Sequence, residues 1–260
     1  MTIRIPVVFG LFAALLSLAD AAEPQKAARP NVIFVLCDDL GPGDIGALWQ
    51  NGRKGKQKFS TPNMDQFAKE GMILSRHYCP APSCMASRSS LMTGRHQGHC
   101  ARRNTQFDAE IPDVHTLGSV MSKAGYATAA IGKWGMAGGP HQLSIKPVRG
   151  DRSPKTNPSH PTLRGFDYFY GYTAHRDAHY HYPKLGNRPL YDGFVDVTDR
   201  LAKCYSTDLL TARAKKWIAD HHKANPKKPF FTYLCYTAPH AGLRIPTTSH
   251  LTAKGNYPPG

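Results

Sequence analysis

Acidic residues are scarce. The 260 residues carry 18 Asp and Glu against 33 Lys and Arg, a formal net charge of +15. This excludes an acidic, self-solvating chain and suits anionic partners such as sulfated glycans, nucleic acid or acidic surfaces. Basic residues gather at Arg53 to Lys58, Arg102-Arg103, Lys215-Lys216 and Lys227-Lys228. Each cluster also reads as ordinary solvated loop charge. Zinc-type cysteine spacing is missing, and six cysteines in a chain of this length do not make a disulfide scaffold. Cys37 and Cys235 fall in apolar runs and read as buried small hydrophobes. Cys79, Cys100 and Cys204 are available to pair, in an order that spacing does not reveal. No nucleic-acid-binding motif, internal repeat or low-complexity tract is present.

Long apolar runs are missing too. The longest, Val7 to Leu18, is about a dozen residues, too short to span a bilayer comfortably. It follows Arg4 and precedes the small-x-small sequence Ala19-Asp20-Ala21. That is the pattern of a secretory signal peptide cut after Ala21 or Ala22; left uncleaved, it would be a membrane anchor. The expected organisation is a signal peptide over 1–21 and one domain over 22–260. The mature chain is then periplasmic or extracellular, off the membrane, and removed from nucleic acid.

What is present is an α/β pattern. Asn31 to Cys37 (NVIFVLC) is a continuous apolar run, as in a strand buried on both faces. It ends in Asp38-Asp39 and then Leu40-Gly41-Pro42-Gly43, a loop signal. Thr61-Pro62 opens a helix that Gly71 closes, with Thr61 as cap and Pro62 in the first turn. Further helices are expected over Thr116 to Ala124 and Tyr205 to His222. Further strands are expected over Tyr126 to Ile131 and, again fully buried, over Pro229 to Tyr236 (PFFTYLCY). The stretch from Gly138 to Asp199 is rich in Gly, Pro, His and Tyr. It reads as long loops over an active-site face, with a short strand at Phe166 to Tyr170. Alternating strands and helices give an α/β fold, a mostly parallel central sheet flanked by helices. Ligands of such sheets sit beyond the carboxyl ends of the strands. Asp38-Asp39, Gly132-Lys133-Trp134 and His240 each follow a strand, so they are expected to meet at one rim.

Two adjacent carboxylates repel each other unless a cation neutralises them, and oxygen ligands suit Ca²⁺ or Mg²⁺. Asp38-Asp39 also reads as turn chemistry or a helix cap. The most specific stretch runs from Cys84-Met85-Ala86-Ser87-Arg88 to Thr93-Gly94-Arg95. It starts a helix after Pro80-Ala81-Pro82, with Ser83 as cap. A helix N-terminus stabilises an anion or a developing oxyanion, and Arg88 shares a face with residue 84. Equally, Cys84 reads as a buried or disulfide-bonded cysteine near an ordinary helix. Taken singly, Lys133 reads as a solvated lysine and His240 as turn structure. His175, His179 and His181 with Asp177 suggest a transition-metal site, but Tyr180 and Tyr182 between them favour a substrate-facing loop.

Together these blocks resemble the type I sulfatases of the alkaline-phosphatase-like superfamily. The Cys84 stretch is similar to that family's Cys-x-Pro/Ala-x-Arg signature with its following Thr-Gly-Arg. Asn31 to Asp39 resembles the opening strand and first two metal ligands. Thr61-Pro62-Asn63-Met64-Asp65, Gly125-Tyr126 to Gly132-Lys133-Trp134, and Ala238-Pro239-His240 resemble three further segments, all in family order. The resemblance implies a sulfuric ester hydrolase acting on an aryl or carbohydrate sulfate. It implies that a maturation enzyme oxidises Cys84 to formylglycine before folding. It implies Ca²⁺ held by Asp38, Asp39 and residue 84. By the same resemblance Arg88 holds the formylglycine and balances the metal-site charge, and Lys133 and His240 bind the sulfate or aid the leaving group. The hydrated aldehyde has a second hydroxyl with which to expel sulfate, which serine lacks. Related phosphonate and phosphodiester hydrolases share Cys-x-x-x-Arg. A non-catalytic remnant that binds anionic glycans is the reading from a different class.

The chain departs from the family pattern in three places. Ala86 stands where Pro is commoner. Gly135 stands where many members have His, which leaves that role to another residue such as His141. The third and fourth metal ligands, an Asp-Asn pair, and a later Lys have no counterpart before Gly260. A calcium ion takes roughly six to eight oxygens, so the 260 residues are expected to be C-terminally incomplete and inactive alone. Ser144, Ser153 and Ser159 lie where the family often has another sulfate contact.

Overall fold

The structure is a computed structural model, described for residues 29–55, 59–104, 108–138, 157–201 and 203–240. The expected signal peptide lies outside the described residues, as do His141, Ser144 and Ser153. Residues 1–30 form one unit, of which Arg29 and Pro30 are described and exposed; residues 31–260 form the other. Among the described residues no helix is long and apolar enough to cross a membrane.

The second unit is built on six strands: β1 (Val32–Asp38), β2 (Ala127–Lys133), β3 (Tyr168–Tyr172), β4 (Tyr191–Asp192), β5 (Val195–Asp196) and β6 (Phe230–Pro239). They form one sheet in the order β1-β6-β2-β3-β4-β5. The pairs β1–β6, β6–β2 and β2–β3 are parallel, and β4 and β5 add an antiparallel edge. The mostly parallel α/β fold expected from the sequence is therefore present. Its helices are α1 (Pro62–Glu70), α2 (Cys84–Thr93), α3 (Leu117–Lys123), α4 (His175–Ala178), α5 (Pro183–Gly186) and α6 (Ser206–Ala224).

The central strands are buried because both faces are covered. Side chains alternate along a strand, so Phe231, Tyr233 and Cys235 of β6 join Ala130 of β2 on one face. There they pack with Met85 and Met92 of α2, and Leu117 and Met121 of α3 lie against the same core. Ala129 and Ile131 of β2 and Leu234 of β6 point the other way, onto Leu209, Leu210 and Ala214 of α6. Truncating a large buried side chain of this kind typically costs about 3–5 kcal/mol. At the carboxyl end of the sheet two glycines let three strands approach. A Cβ at Gly132 would lie 1.9 Å from the Cys235 carbonyl oxygen, and one at Gly171 2.0 Å from the Gly132 oxygen.

The structure corrects several expectations. Among the described residues β1 is not buried on both faces: it lies at the sheet edge, pairs with β6, and leaves Ile33 and Val35 each 52% exposed. β2 runs to Lys133, two residues further than expected, because its ladder with β3 continues to Tyr172. Neither Thr61 nor Ser83 caps its helix through the side chain. The Thr61 hydroxyl instead donates to Asp65 and accepts from the Gly46 N–H. The described part of the Gly138 to Asp199 stretch holds, besides the expected short strand (β3), the two-residue strands β4 and β5 and two short helices that were not expected.

Candidate active site

The carboxyl ends of β1, β2 and β6 lie side by side, and each delivers a polar residue to one place. Asp38 is the last residue of β1 and Lys133 the last of β2, while His240 follows Pro239 at the end of β6. α2 begins beside them, with Cys84 as its first residue and Arg88 one turn on. Asp38, Arg88 and Lys133 are all buried. The Lys133 ammonium donates to the Asp38 carboxylate. Arg88 donates from Nη1 to the Lys133 carbonyl at 2.8 Å and holds Nη2 3.6 Å from Asp38 Oδ2. One buried carboxylate is thus held between two cations. Asp38, Asp39, Cys84 and Arg88 line a cavity of about 240 Å³ that also takes in Cys37 and Cys79.

Electrostatics follow from this crowding. Burial pushes the Asp38 carboxyl up, but the Lys133 and Arg88 charges outweigh it and hold the group well below the usual carboxylate range. Asp39 moves the other way, raised by burial and by the neighbouring Asp38. Burial likewise raises the Cys84 thiol, yet the hydrogen bond and charge of His175, followed by Lys133, bring it below its ordinary value. Burial and the Arg88 charge lower Lys133. Among the described residues, Asp38, Asp39 and His240 are the group placed to hold a metal ion, with ligand atoms within 4.8 Å of one another. His240 Nε2 lies 3.5 Å from Asp39 Oδ2.

Cys84, Arg88, Lys133, His240, Asp38 and Asp39 therefore share one site. The histidines expected in a substrate-facing loop or a metal cluster do something different. His175 is buried, donates its backbone N–H to Asp108, and holds its Nδ1 3.1 Å from Asp108 Oδ1. His179 accepts from Lys133 Nζ at 2.8 Å and stacks on the His240 ring at 3.6 Å between centroids. Burial, then the Lys133 and His240 charges, drives its pKa far down, so the ring is neutral. His181 is also buried, bonded to Thr237 Oγ1 and to the His240 carbonyl. Ser159 is no sulfate contact: it is buried, accepting from the Ile111 N–H and donating to the Met136 carbonyl. Cys79, Cys100 and Cys204 are all free thiols. Sequence reasoning missed Asp108 altogether and read His175 and His179 as parts of a substrate-facing loop.

The sulfatase family model matches residues 30–259. The chain belongs to the sulfatase family. It is 32% identical to mouse arylsulfatase J over 86% of this chain and 35% of that protein. It is 29% identical to mouse N-acetylgalactosamine-6-sulfatase over 89% of this chain and 43% of the relative. Among solved structures, Ps i-CgsB in complex with k-i-k-neocarrahexaose matches with a TM-score of 0.61 and 28% identity, covering 84% of this chain and 47% of that one. The sulfatase chain thus spans under half the length of these relatives.

Proposed function

We propose that the whole protein is a sulfuric ester hydrolase that cleaves sulfate from a sulfated glycan or aryl sulfate, using a formylglycine made from Cys84 and one Ca²⁺. The carrying observation is the meeting of Cys84, Arg88, Lys133 and His240 around the Asp38-Asp39 pair. Family membership and the sulfatase relatives support the same reading. The complex of Ps i-CgsB with a neocarrahexaose and the net charge of +15 favour an anionic glycan over a small neutral substrate.

The residues present fit a hard cation. Asp39 is raised by burial and then by the adjacent Asp38; bound Ca²⁺ would relieve the repulsion between the two, and oxygen donors match its preference. Asp38, Asp39 and residue 84 would hold the ion, which supplies charge withdrawal from the sulfate oxygens. Formylglycine supplies a hydrated aldehyde with one hydroxyl for attack and one for release. The chain's own side chains do the rest. Lys133 and His240 line the site as donors to sulfate oxygens and the leaving group, and fixed donors of this kind are each worth about 3–4 kcal/mol of barrier. Arg88 offsets the carboxylate charge from below. His179 stays neutral and holds the Lys133 ammonium and the His240 ring in place. We also propose that residues 1–21 direct export, so that the enzyme meets its substrate in the periplasm or outside the cell, after a maturation enzyme has acted on Cys84.

The test is mass spectrometry of the peptide carrying residue 84, combined with turnover of an aryl sulfate and an aryl phosphodiester. An aldehyde or its hydrate at 84, with sulfate turned over faster and activity lost to a chelator, supports the reading. An intact thiol in protein coexpressed with the maturation enzyme counts against formylglycine. Preference for the phosphodiester, or sulfated-glycan binding without turnover, counts against the activity.

A further inference from the structure

A second place in the molecule gathers cations, away from Cys84. α2 begins at the active site and runs ten residues to Thr93, about 15 Å along the helix axis. The chain turns there at Gly94, whose φ is +65°, and brings Arg95 to an open basin of about 750 Å³. Asp113, His115, Ser119 and Lys123 form its other walls. Ser119 and Lys123 share one face of α3, four residues apart. Arg95, His115 and Lys123 are exposed. Among the described residues neither Arg95 nor Lys123 has a carboxylate partner. The basic surface continues past the basin. α3 leads into β2 and α6 into β6, so the turns before both strands lie at the amino end of the sheet, opposite the active site. The Ala127 N–H donates to the Pro229 carbonyl at 2.9 Å, and Ala127 pairs with Phe230. That register sets the turn after Lys123 beside Lys227 and Lys228. Both of these lysines are exposed, again with no carboxylate partner among the described residues.

We propose that this basin and its lysine flank form a second, non-catalytic binding site that takes a sulfated polysaccharide chain. Charge complementarity carries the assignment: unpaired cations set close together repel one another, and an anionic chain relieves that repulsion. The basin's volume lies in the range that encloses a small-molecule ligand, so it admits a sugar unit that a flat bilayer surface does not offer. Asp113 is the acid among the described lining residues, and its side chain is 90% exposed. A carboxylate only accepts hydrogen bonds, so it suits sugar hydroxyls and opposes a dense row of phosphates. No Phe, Tyr or Trp is among the described lining residues, which leaves a nucleic-acid base nothing to stack on. Lys227 and Lys228 meet sulfates further along the same chain. A polymer held at this end keeps its other sulfates at a raised local concentration near the active site.

The proposal rests on the sulfatase reading only for the choice of a sulfated chain, and its test separates the two. In the whole protein, binding of fluorescein-labelled dextran sulfate is followed by polarisation at low salt, with unsulfated dextran and single-stranded DNA as competitors. Arg95→Ser combined with Lys123→Ser is expected to weaken dextran sulfate binding about tenfold and to flatten its dependence on salt. Lys227→Ser combined with Lys228→Ser is expected to weaken it as well. Lys69→Ser combined with Lys215→Ser removes as much charge from exposed positions of α1 and α6 and is expected to bind as wild type does. Should the basin double variant misfold by circular dichroism, Lys123→Ser alone, in the exposed last turn of α3, carries the test. Wild-type binding in folded basin variants overturns the proposal, as does an equal loss in the Lys69 and Lys215 variant. Displacement of the polymer by a small aryl sulfate at matched ionic strength would put it in the Cys84 site, and tighter binding of single-stranded DNA would make the surface a nucleic-acid one; either result also overturns it. If wild-type protein turns over no aryl sulfate while the basin result holds, the sulfatase reading fails and the polysaccharide site stands.

Discussion

Lys133 Nζ lies 2.8 Å from His179 Nε2 while the same ammonium binds the Asp38 carboxylate. The lysine is therefore a hinge between the carboxylate end of the site and its histidine end. A lysine has only donors, so His179 must accept through Nε2 and carry its own proton on Nδ1. Its stack on His240 then extends the same ordered chain from Asp38 to the β6 end.

Replacing Lys133 with Met should be costly even before substrate is considered. Among the described residues Asp38 would keep Arg88, at 3.6 Å, as its remaining cation in a buried place. Removing one member of a buried ion pair typically costs about 3–5 kcal/mol. Chemical denaturation should show that loss, and added Ca²⁺ should recover part of it by neutralising Asp38. A midpoint equal to wild type would mean that Asp38 does not depend on Lys133.

Arg88→Lys should fail despite keeping the charge. Arg88 donates to the Lys133 carbonyl and faces Asp38 with two different nitrogens, a fork that an ammonium cannot reproduce. The expected loss is roughly 2 kcal/mol of stability for one charged hydrogen bond. Turnover of aryl sulfate should fall about a hundredfold. Thermal melts and steady-state kinetics measure the two effects, and full activity would remove Arg88 from the site's working parts.

Gly132→Ala should prevent folding of the sheet rather than perturb the chemistry. The new Cβ would sit 1.9 Å from the Cys235 carbonyl oxygen, at φ +109°. No flexible side chain is there to move aside, and strain on this scale belongs to the class that exceeds about 4 kcal/mol. The expected outcome is insoluble or proteolysed protein, read by limited proteolysis and yield. Native-like protease resistance would contradict the close β2–β6 approach.

Acid should destabilise the protein as buried neutral histidines are forced to charge; His179 contributes, and His160 contributes over a window of its own. Burial lowers its pKa from 6.5 to about 4, and the ring bonds neutrally to Thr162 and to the Gly193 carbonyl. Above pH 6.5 the ring is neutral in both the folded and unfolded states, so it adds no pH dependence. Below 6.5 the unfolded chain takes up a proton that the folded ring refuses, and stability falls until about pH 4. The loss is about 3 kcal/mol from this group. Denaturation midpoints should therefore drop across that window in wild type and drop less in His160→Gln. Equal slopes would show that another group controls the transition.

Much of this arrangement was legible in order along the chain. PFFTYLCY reads as a buried strand because strand-forming apolar residues run without interruption, and β6 covers it. Thr116 reads as a helix start, and its hydroxyl does accept from the Ser119 N–H. The limits of β2 were less legible, because a lysine closing a buried strand looks the same in sequence as one opening a loop. The exposed outer side of β1 was invisible for a related reason: an apolar run records what a side chain prefers, not whether a neighbouring element covers it. α4 has four residues, His175–Ala178, too few to show a period, so neither His175 nor His179 just beyond it carried a helical signal.

By itself the sequence determined the local chemistry of this sulfatase-family chain. A carboxylate pair ends one strand, a cysteine opens a helix with an arginine one turn on, and a lysine and a histidine end two more strands. These are short-range facts, written in residue type and spacing. Only the tertiary structure decided which groups act together. Asp108 and His175 are 67 residues apart and Lys133 and Asp38 are 95 apart. Contacts of that span are set by strand order and register, which place Gly135 beside His175 and Lys133 beneath Asp38. The physical reason is that hydrogen bonding and packing select partners by distance in space, and only the folded sheet supplies that distance.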